Sequence, residues 1–387
     1  MVRTLVISYF FPPCTDGAAT LMYNLCSNLP KNCYSVVTTE EQLGLYCWDN
    51  LGAYDKDFVL DCNITRLPVR TNRMHDRIKF FLLAILSGLL LNTKGFFDCI
   101  LAVYPDEFDL YAGYVLSRLT RKPLVIYMHD LHSELKKRAH LYEIWKRLER
   151  RIFSSASAVL VTNEKFRDHY SERGIRNLVV LHSCIALQAS KLRKLSETGP
   201  SRPYRRRLRI VFTGTVYQTN EDAILCFLEA AKKMEDIEIV FSTPSKKDYL
   251  SKVNTGFLSK KECLRLQRNA DVLLLPLSFE PELREEVKCA FPCKVLEYLA
   301  AGKPILAIVP KESYMKEFIE SYKVGLAITE LSEEKMTNAI LELTDERRRE
   351  YFSGNAAKAL SHFDARVQSK RLCSIIESVV QNRQLRD

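Results

Sequence analysis

Residues Phe291–Leu306 read FPCKVLEYLAAGKPIL, which brings a cation, a carboxylate and a helix start into one short segment. Pro292 suits the first helical position, where a missing N–H costs nothing. Gly302 ends the helix, Pro304 lies just beyond it, and the apolar run Ile305–Val309 starts a strand. Lys294 and Glu297 are three residues apart and so share a helix face. Lys294 falls in the first turn, where unpaired amides already favour an anion. A cation and a helix start can hold a diphosphate, and a carboxylate one turn deeper can accept from ribose hydroxyls. That set suits a nucleotide sugar. The same spacing also describes a solvated Lys–Glu pair on a surface helix, so the rest of the chain has to decide.

On Pro292, Lys294, Glu297, Tyr298, Gly302, Lys303 and Pro304, the segment resembles the donor-binding helix of the retaining glycosyltransferases of family 4. In members that act on lipid-linked or polysaccharide acceptors that helix reads roughly P-S-K-x-x-E-Y-x-x-x-G-K-P. The resemblance implies the GT-B fold, an α/β architecture of two Rossmann-like domains facing a cleft. It implies a nucleotide-sugar donor, a glycan or lipid-linked acceptor, and no cofactor. Many relatives carry an E-x7-E pair. Glu297 matches its second member, but Cys289 occupies the first position, with Glu282, Glu285 and Glu286 in the loop before it.

The 387 residues are enough for two domains, each with its own core. At 47% hydrophobic and 27% charged, without repeats or low-complexity tracts, the composition is that of a globular protein. The start, MVRTLVISYFFPP, reads as a first strand and not as a signal peptide. Twelve cysteines without a C-x-x-C pair read as free thiols of a reducing, cytoplasmic compartment, which makes the Asn63-Ile64-Thr65 sequon a chance match. The net charge of +10 favours anionic partners, yet no nucleic-acid recognition motif accompanies it, and none is expected to bind.

Short apolar runs at 4–9, 35–39, 57–60, 98–104, 123–128 and 157–162 alternate with helical patterns. Residues 187–207 turn polar and basic. A second alternating region has runs at 208–213, 237–242, 271–275, 304–309 and 324–328. Such alternation predicts parallel sheets covered on both faces. The expected domains are 1–190, for the acceptor, and 208–363, for the nucleotide sugar, joined by a linker at 191–207. In the family that this chain resembles, the last helix, here 364–387, returns to complete the first domain.

Ligands of open α/β sheets bind at the carboxyl ends of the strands. That rule draws attention to Pro12–Thr20, where Gly17 matches one glycine of the family's P-P-x-x-G-G turn on the acceptor side. It also draws attention to His129 and Asp130, directly after LVIYM. A lone histidine is often a hydrogen-bonded core residue. The resemblance instead implies that His129 contacts the transferred sugar, with Asp130 orienting or facing the acceptor. Gly214, after RIVF, matches the glycine that lets backbone reach the diphosphate, although Tyr217–Asn220 follow where many relatives have a cation. Lys294 is then the main cation for the leaving diphosphate. Leu181–Ile185 departs from the family's P-N-G-V-D-like turn and receives no role. No D-x-D stands in a setting that would hold a divalent ion against a diphosphate, the histidines lack metal-ligand spacing, and charge neutralisation by Lys294 and helix starts makes a metal unnecessary.

Arg70–Lys94 contains the apolar stretch Phe80–Leu91, too short to span a bilayer but flanked by Arg70, Arg73, Arg77, Lys79 and Lys94. With the basic helix expected at Lys136–Phe153, it suits peripheral contact with the inner face of a membrane. A buried core helix is the competing reading. Two other functional classes also stay open here: a nucleotide-sugar epimerase, and a non-catalytic GT-B protein that binds a glycan-assembly partner.

Overall fold

The computed structural model describes residues 2–14, 17–40, 60–71, 73–104, 106–131, 142–186 and 207–385. Residues 57–59, 136–141 and 191–206, on which an expected strand, helix start and linker fall, lie outside the described residues. The chain divides into two compact units: Met1–Ala186 with Ala365–Asp387, and Leu187–Asp364.

The first unit runs β1 (Thr4–Ile7), α1 (Gly17–Cys26), β2 (Tyr34–Thr38), β3 (Asn63–Arg66), α2 (Met74–Thr93), β4 (Cys99–Tyr104), α3 (Glu107–Thr120), β5 (Leu124–Met128), α4 (Tyr142–Ser155), β6 (Ala158–Val161), α5 (Glu164–Glu172) and β7 (Leu178–Val180). Its strands form one parallel sheet in the order β3-β2-β1-β4-β5-β6-β7. Strands β1, β4, β5 and β6 are buried at every position, which is why they read as unbroken apolar runs. β3 is different. Its sequence, NITR, has no apolar run and was legible only as a sequon, because an edge strand needs only one side of backbone pairing.

The second unit runs β8 (Leu208–Thr213), α6 (Glu221–Ala231), β9 (Ile237–Ser242), α7 (Lys260–Arg268), β10 (Val272–Pro276), α8 (Arg284–Cys289), α9 (Lys294–Ala301), β11 (Ile305–Ile308), α10 (Tyr314–Tyr322), β12 (Gly325–Ile328), α11 (Glu333–Glu342) and α12 (Glu346–Ser361). These strands form a second parallel sheet, ordered β12-β11-β10-β8-β9. Ile210, Phe212, Phe227, Leu274 and Ile308 share its core. Burying each such side chain contributes roughly 1.5–3 kcal/mol.

The last helix, α13 (Ala365–Gln384), completes the first unit by setting Leu372, Ile376 and Val380 into the core with Met22, Leu25 and Leu101. The Ser369 hydroxyl donates to the Leu25 carbonyl there, fixing α13 beside the end of α1.

Both sheets reverse their winding at one place, between β1 and β4 in the first and between β8 and β10 in the second. A crevice opens at the carboxyl ends of strands where such a reversal occurs. In the first unit the Tyr9 amide donates to Asp109 Oδ2 at 2.8 Å, tying the segment after β1 to α3. In the second the Ser278 amide donates to the Thr219 carbonyl at 2.7 Å, tying the loop after β10 to the loop after β8.

Candidate active site

The switch point of the second sheet carries three of the residues singled out from sequence. Helix α9 buries Val295, Leu296, Tyr298 and Leu299 against the sheet and leaves Lys294 and Glu297 on its half-buried side. Gly302 ends it in the left-handed region at φ 67°. The helix begins at Lys294, not at Pro292: Pro292 sits in a preceding turn whose carbonyl accepts from the Val295 amide at 2.9 Å. Cys293 stands at the N-cap and makes no side-chain capping bond, so the helix start keeps amides suited to an anion.

Gly214 meets Lys294 directly. Its φ of 125° is one that side chains rarely adopt, and its amide donates to the Ser242 carbonyl at 3.0 Å. The Lys294 ammonium lies over the Phe212 ring, 4.3 Å from its centroid. Burial lowers the Lys294 pKa to about 8, against the opposing charge of Glu297. A lysine so placed gains from any anion that enters.

Glu297 is held on both oxygens. Oε1 pairs with Lys260 from the first turn of α7, and Oε2 accepts from Gln267 Nε2 at 3.1 Å. Gln267 also donates to Thr213 Oγ1 at 2.9 Å. Burial works to raise the Glu297 pKa. The Lys260 charge, the hydrogen bonds from Lys260 and Gln267, and the Lys294 charge together hold it below the ordinary carboxylate range. Lys260 is raised: burial opposes its charge, but Glu297 outweighs that. The Tyr298 hydroxyl accepts from the Thr213 amide and donates to the Leu274 carbonyl, each at 3.3 Å, and so pins α9 across β8 and β10.

Lys260 and Gln267 were not among the residues expected from sequence. The signal that could have found them is the capping box of Ser259 and Glu262, which fixes the start of α7. Lys260 and Gln267 are then seven apart, two turns along one face. The loop after Gly214 also explains its polar residues. Asn220 Nδ2 donates to the Thr215 carbonyl at 3.1 Å, and Asn220 Oδ1 accepts from the Tyr217 amide at 3.1 Å.

The other expected residues lie in the first unit. His129 follows β5, buried, with its amide donating to the Tyr104 carbonyl at 2.8 Å. Its ring stands edge-on to Tyr127 with centroids 4.4 Å apart, and neither ring nitrogen has a hydrogen-bond partner among the described residues. Burial lowers its pKa to about 3, so it is neutral. Asp130 is exposed beside it. Gly17 begins α1; Thr15 and Asp16 before it lie outside the described residues.

Arg77 requires a correction. Expected to flank the apolar stretch as a surface cation, it is only 14% exposed and pairs with Asp106 and Glu107, each at 2.8 Å. It ties α2 to the start of α3, where Asp106 also caps the helix through the Phe108 amide.

The family model for Glycosyltransferase Family 4 matches residues 15–189, and that for Glycosyl transferases group 1 matches residues 207–346. The chain is a group 1 glycosyltransferase. Among curated proteins none matches this glycosyltransferase in sequence. Its fold is similar to that of Anabaena Alr3699/HepE in complex with UDP-glucose, at 16% identity and a TM-score of 0.68, covering 98% of this chain and 100% of that one. WaaG, a glycosyltransferase involved in lipopolysaccharide biosynthesis, is similar at 14% identity and a TM-score of 0.64, covering 96% and 99%. The trehalose 6-phosphate synthase of Burkholderia multivorans reaches a TM-score of 0.70 at 9% identity, covering 99% and 100%. These similarities show that the glycosyltransferase has the GT-B fold, two parallel-sheet α/β domains.

Proposed function

We propose that this glycosyltransferase moves a sugar from a nucleotide-sugar donor to a glycan or lipid-linked acceptor with retention of configuration. The observation that carries this reading is the set formed by Lys294, Gly214 and Glu297 at the switch point of the second sheet. Lys294 and the start of α9 hold the diphosphate where the glycine leaves room for it, and Glu297 accepts from the ribose hydroxyls. The UDP-glucose complex of HepE supports a nucleoside diphosphate sugar as donor.

His129 contacts the sugar. Two ring nitrogens without partners in a buried, neutral imidazole are suited to sugar hydroxyls, which can both donate and accept. Gly17 and Asp130 face the acceptor. In a retaining reaction of this kind the leaving diphosphate takes the acceptor proton, so the protein's part is positioning and stabilisation of leaving-group charge. No metal is required for that part, and transfer is expected to persist in a chelator. The test is a transfer assay on the Lys294→Ala variant at saturating donor. Turnover falls more than donor binding, because leaving-group charge grows in the transition state. A pure loss of binding with intact turnover contradicts the assignment.

The acceptor side is supported by α2. Met74, Ile78, Leu82, Leu86 and Leu90 recur every fourth residue and are each between 46% and 60% exposed, while Phe80, Ala84 and Gly88 bury the opposite face. Among the described residues no helix is long and apolar enough to cross a membrane. Exposed Arg73 and Lys94 stand at the two ends of the stripe, exposed Lys79 within the helix donates to the Pro68 carbonyl at 2.6 Å, and the one acid of the helix, Asp76, is bonded to Thr71. An apolar ridge with cations and no free acid fits a bilayer surface that carries anionic lipid. Sedimentation with anionic vesicles increases with anionic lipid and weakens with salt; no sedimentation at low salt overturns this docking.

A further inference from the structure

The first unit has a second feature at the end of its sheet opposite His129. At the amino ends of β1 and β2 a cavity of about 390 Å³ is lined by Val2, Thr4, Leu29, Cys33, Cys373 and Ile376 among others. Cys33 lies in the turn before β2, where its amide donates to the Pro30 carbonyl at 3.0 Å and its carbonyl accepts from the Thr4 amide at 2.8 Å. Cys373 lies on α13, one turn after the Ser369 bond that fixes this helix to α1. Both thiols line this one cavity, each acts on the other's ionisation, and both are free. They come from opposite ends of the chain and meet at a cavity that a small reagent can enter.

We infer that Cys33 and Cys373 form a redox-active dithiol that takes small-molecule disulfides, with Cys373 as the attacking and Cys33 as the resolving sulfur. Their exposure divides the roles. Cys33 is 7% exposed, whereas Cys373 is half-buried and is the sulfur that an incoming molecule meets. The neighbouring Cys33 thiol lowers Cys373 to about 7 in spite of burial, and the same pairing, with burial, raises Cys33. The thiolate is the nucleophile in such exchange, and one that titrates near ambient pH attacks well. Cys26 also lines the cavity, but burial raises it well above the ordinary thiol range.

The exchange balances without another reactant. The Cys373 thiolate attacks one sulfur of a disulfide RS–SR; that bond breaks, and the first RS⁻ leaves and takes up a proton. Cys33 then loses its proton and attacks the Cys373 sulfur, and the second RS⁻ leaves. The two cysteines are oxidised to one disulfide, and RS–SR is reduced to two RSH. The new bond staples α13 to the turn before β2.

The test uses the full chain in a series of oxidised and reduced glutathione mixtures, followed by peptide mapping without reduction. The expected result is a Cys33–Cys373 cross-linked peptide that disappears with dithiothreitol, with an upward shift of the urea midpoint in the oxidised protein. Cys33→Ser is expected to accumulate one glutathione on Cys373, and Cys373→Ser none on Cys33. The inference is overturned if both thiols stay free at every ratio, or if another of the twelve cysteines takes up the glutathione first. The wild-type map is decisive even if a serine variant fails to fold.

Discussion

Gly214 and Lys294 are fitted to each other: a methyl group built on Gly214 would stand 2.7 Å from the Lys294 ammonium. The approach needs the absence of a side chain on one partner and a long cationic one on the other. Gly214→Ala would push the ammonium from its place over Phe212, and at φ 125° the alanine backbone would also be strained by ~1–3 kcal/mol. The expected outcome is a lower melting temperature together with weaker nucleoside diphosphate binding. A variant that binds as well as the wild type would mean that the glycine serves the loop alone.

If the same lysine meets the donor diphosphate, donor binding depends on pH. In the empty site Lys294 loses its proton near pH 8, because burial disfavours its charge. A diphosphate favours the charged form, so below pH 8 this group leaves affinity constant. Above pH 8 each binding event must also take up a proton, and affinity falls by up to about tenfold per pH unit. Titrations between pH 6.5 and 9.5 check this, with Lys294→Met expected to be weaker and flat. A wild type that is flat across that range speaks against the assignment.

Lys260 extends the dependence to acid. It contributes most of what holds Glu297 ionised against burial. In Lys260→Met burial is left to dominate, and the carboxyl pKa rises. Nucleotide affinity should then fall as pH drops through that raised value, while the wild type holds to lower pH. The variant is also expected to be less stable, since it leaves a buried carboxylate without its cation. Identical acid limbs for the two proteins would show that Lys260 does not govern Glu297.

Much of this site was legible because its chemistry is local. Lys294, Glu297 and Gly302 lie on one short helix whose start, face and end follow from residue spacing, and Gly214 ends an apolar strand. Lys260 and Gln267 were not legible in that way. They reach Glu297 from α7, across a tertiary contact that no spacing near Glu297 encodes. Strands buried on both faces, such as CILAVY and LRIVFT, were readable as apolar runs. The polar edge strand NITR was not, since its place is set by pairing with β2. Arg77 misled for a related reason: a charged residue beside an apolar stretch reads as surface, whereas its partners Asp106 and Glu107 belong to a helix 29 and 30 residues further on.

His129 offers a test that separates a sugar contact from a packing role. His129→Ala is expected to impair transfer while leaving nucleoside diphosphate affinity unchanged, because that ligand lacks the sugar. Since burial lowers its pKa to about 3, His129 should add no inflection to the rate profile between pH 5 and 8. An unfolded variant, or one with full transfer activity, would return His129 to the core.

The proposed contact between Glu297 and the donor ribose is tested most directly by calorimetric titration of nucleoside diphosphates into the wild type and Glu297→Gln. A hydrogen bond to a charged group is worth ~1.5–3 kcal/mol, so the variant should remain folded and bind at least about tenfold more weakly. Unchanged nucleotide affinity in a folded Glu297→Gln protein would contradict the account.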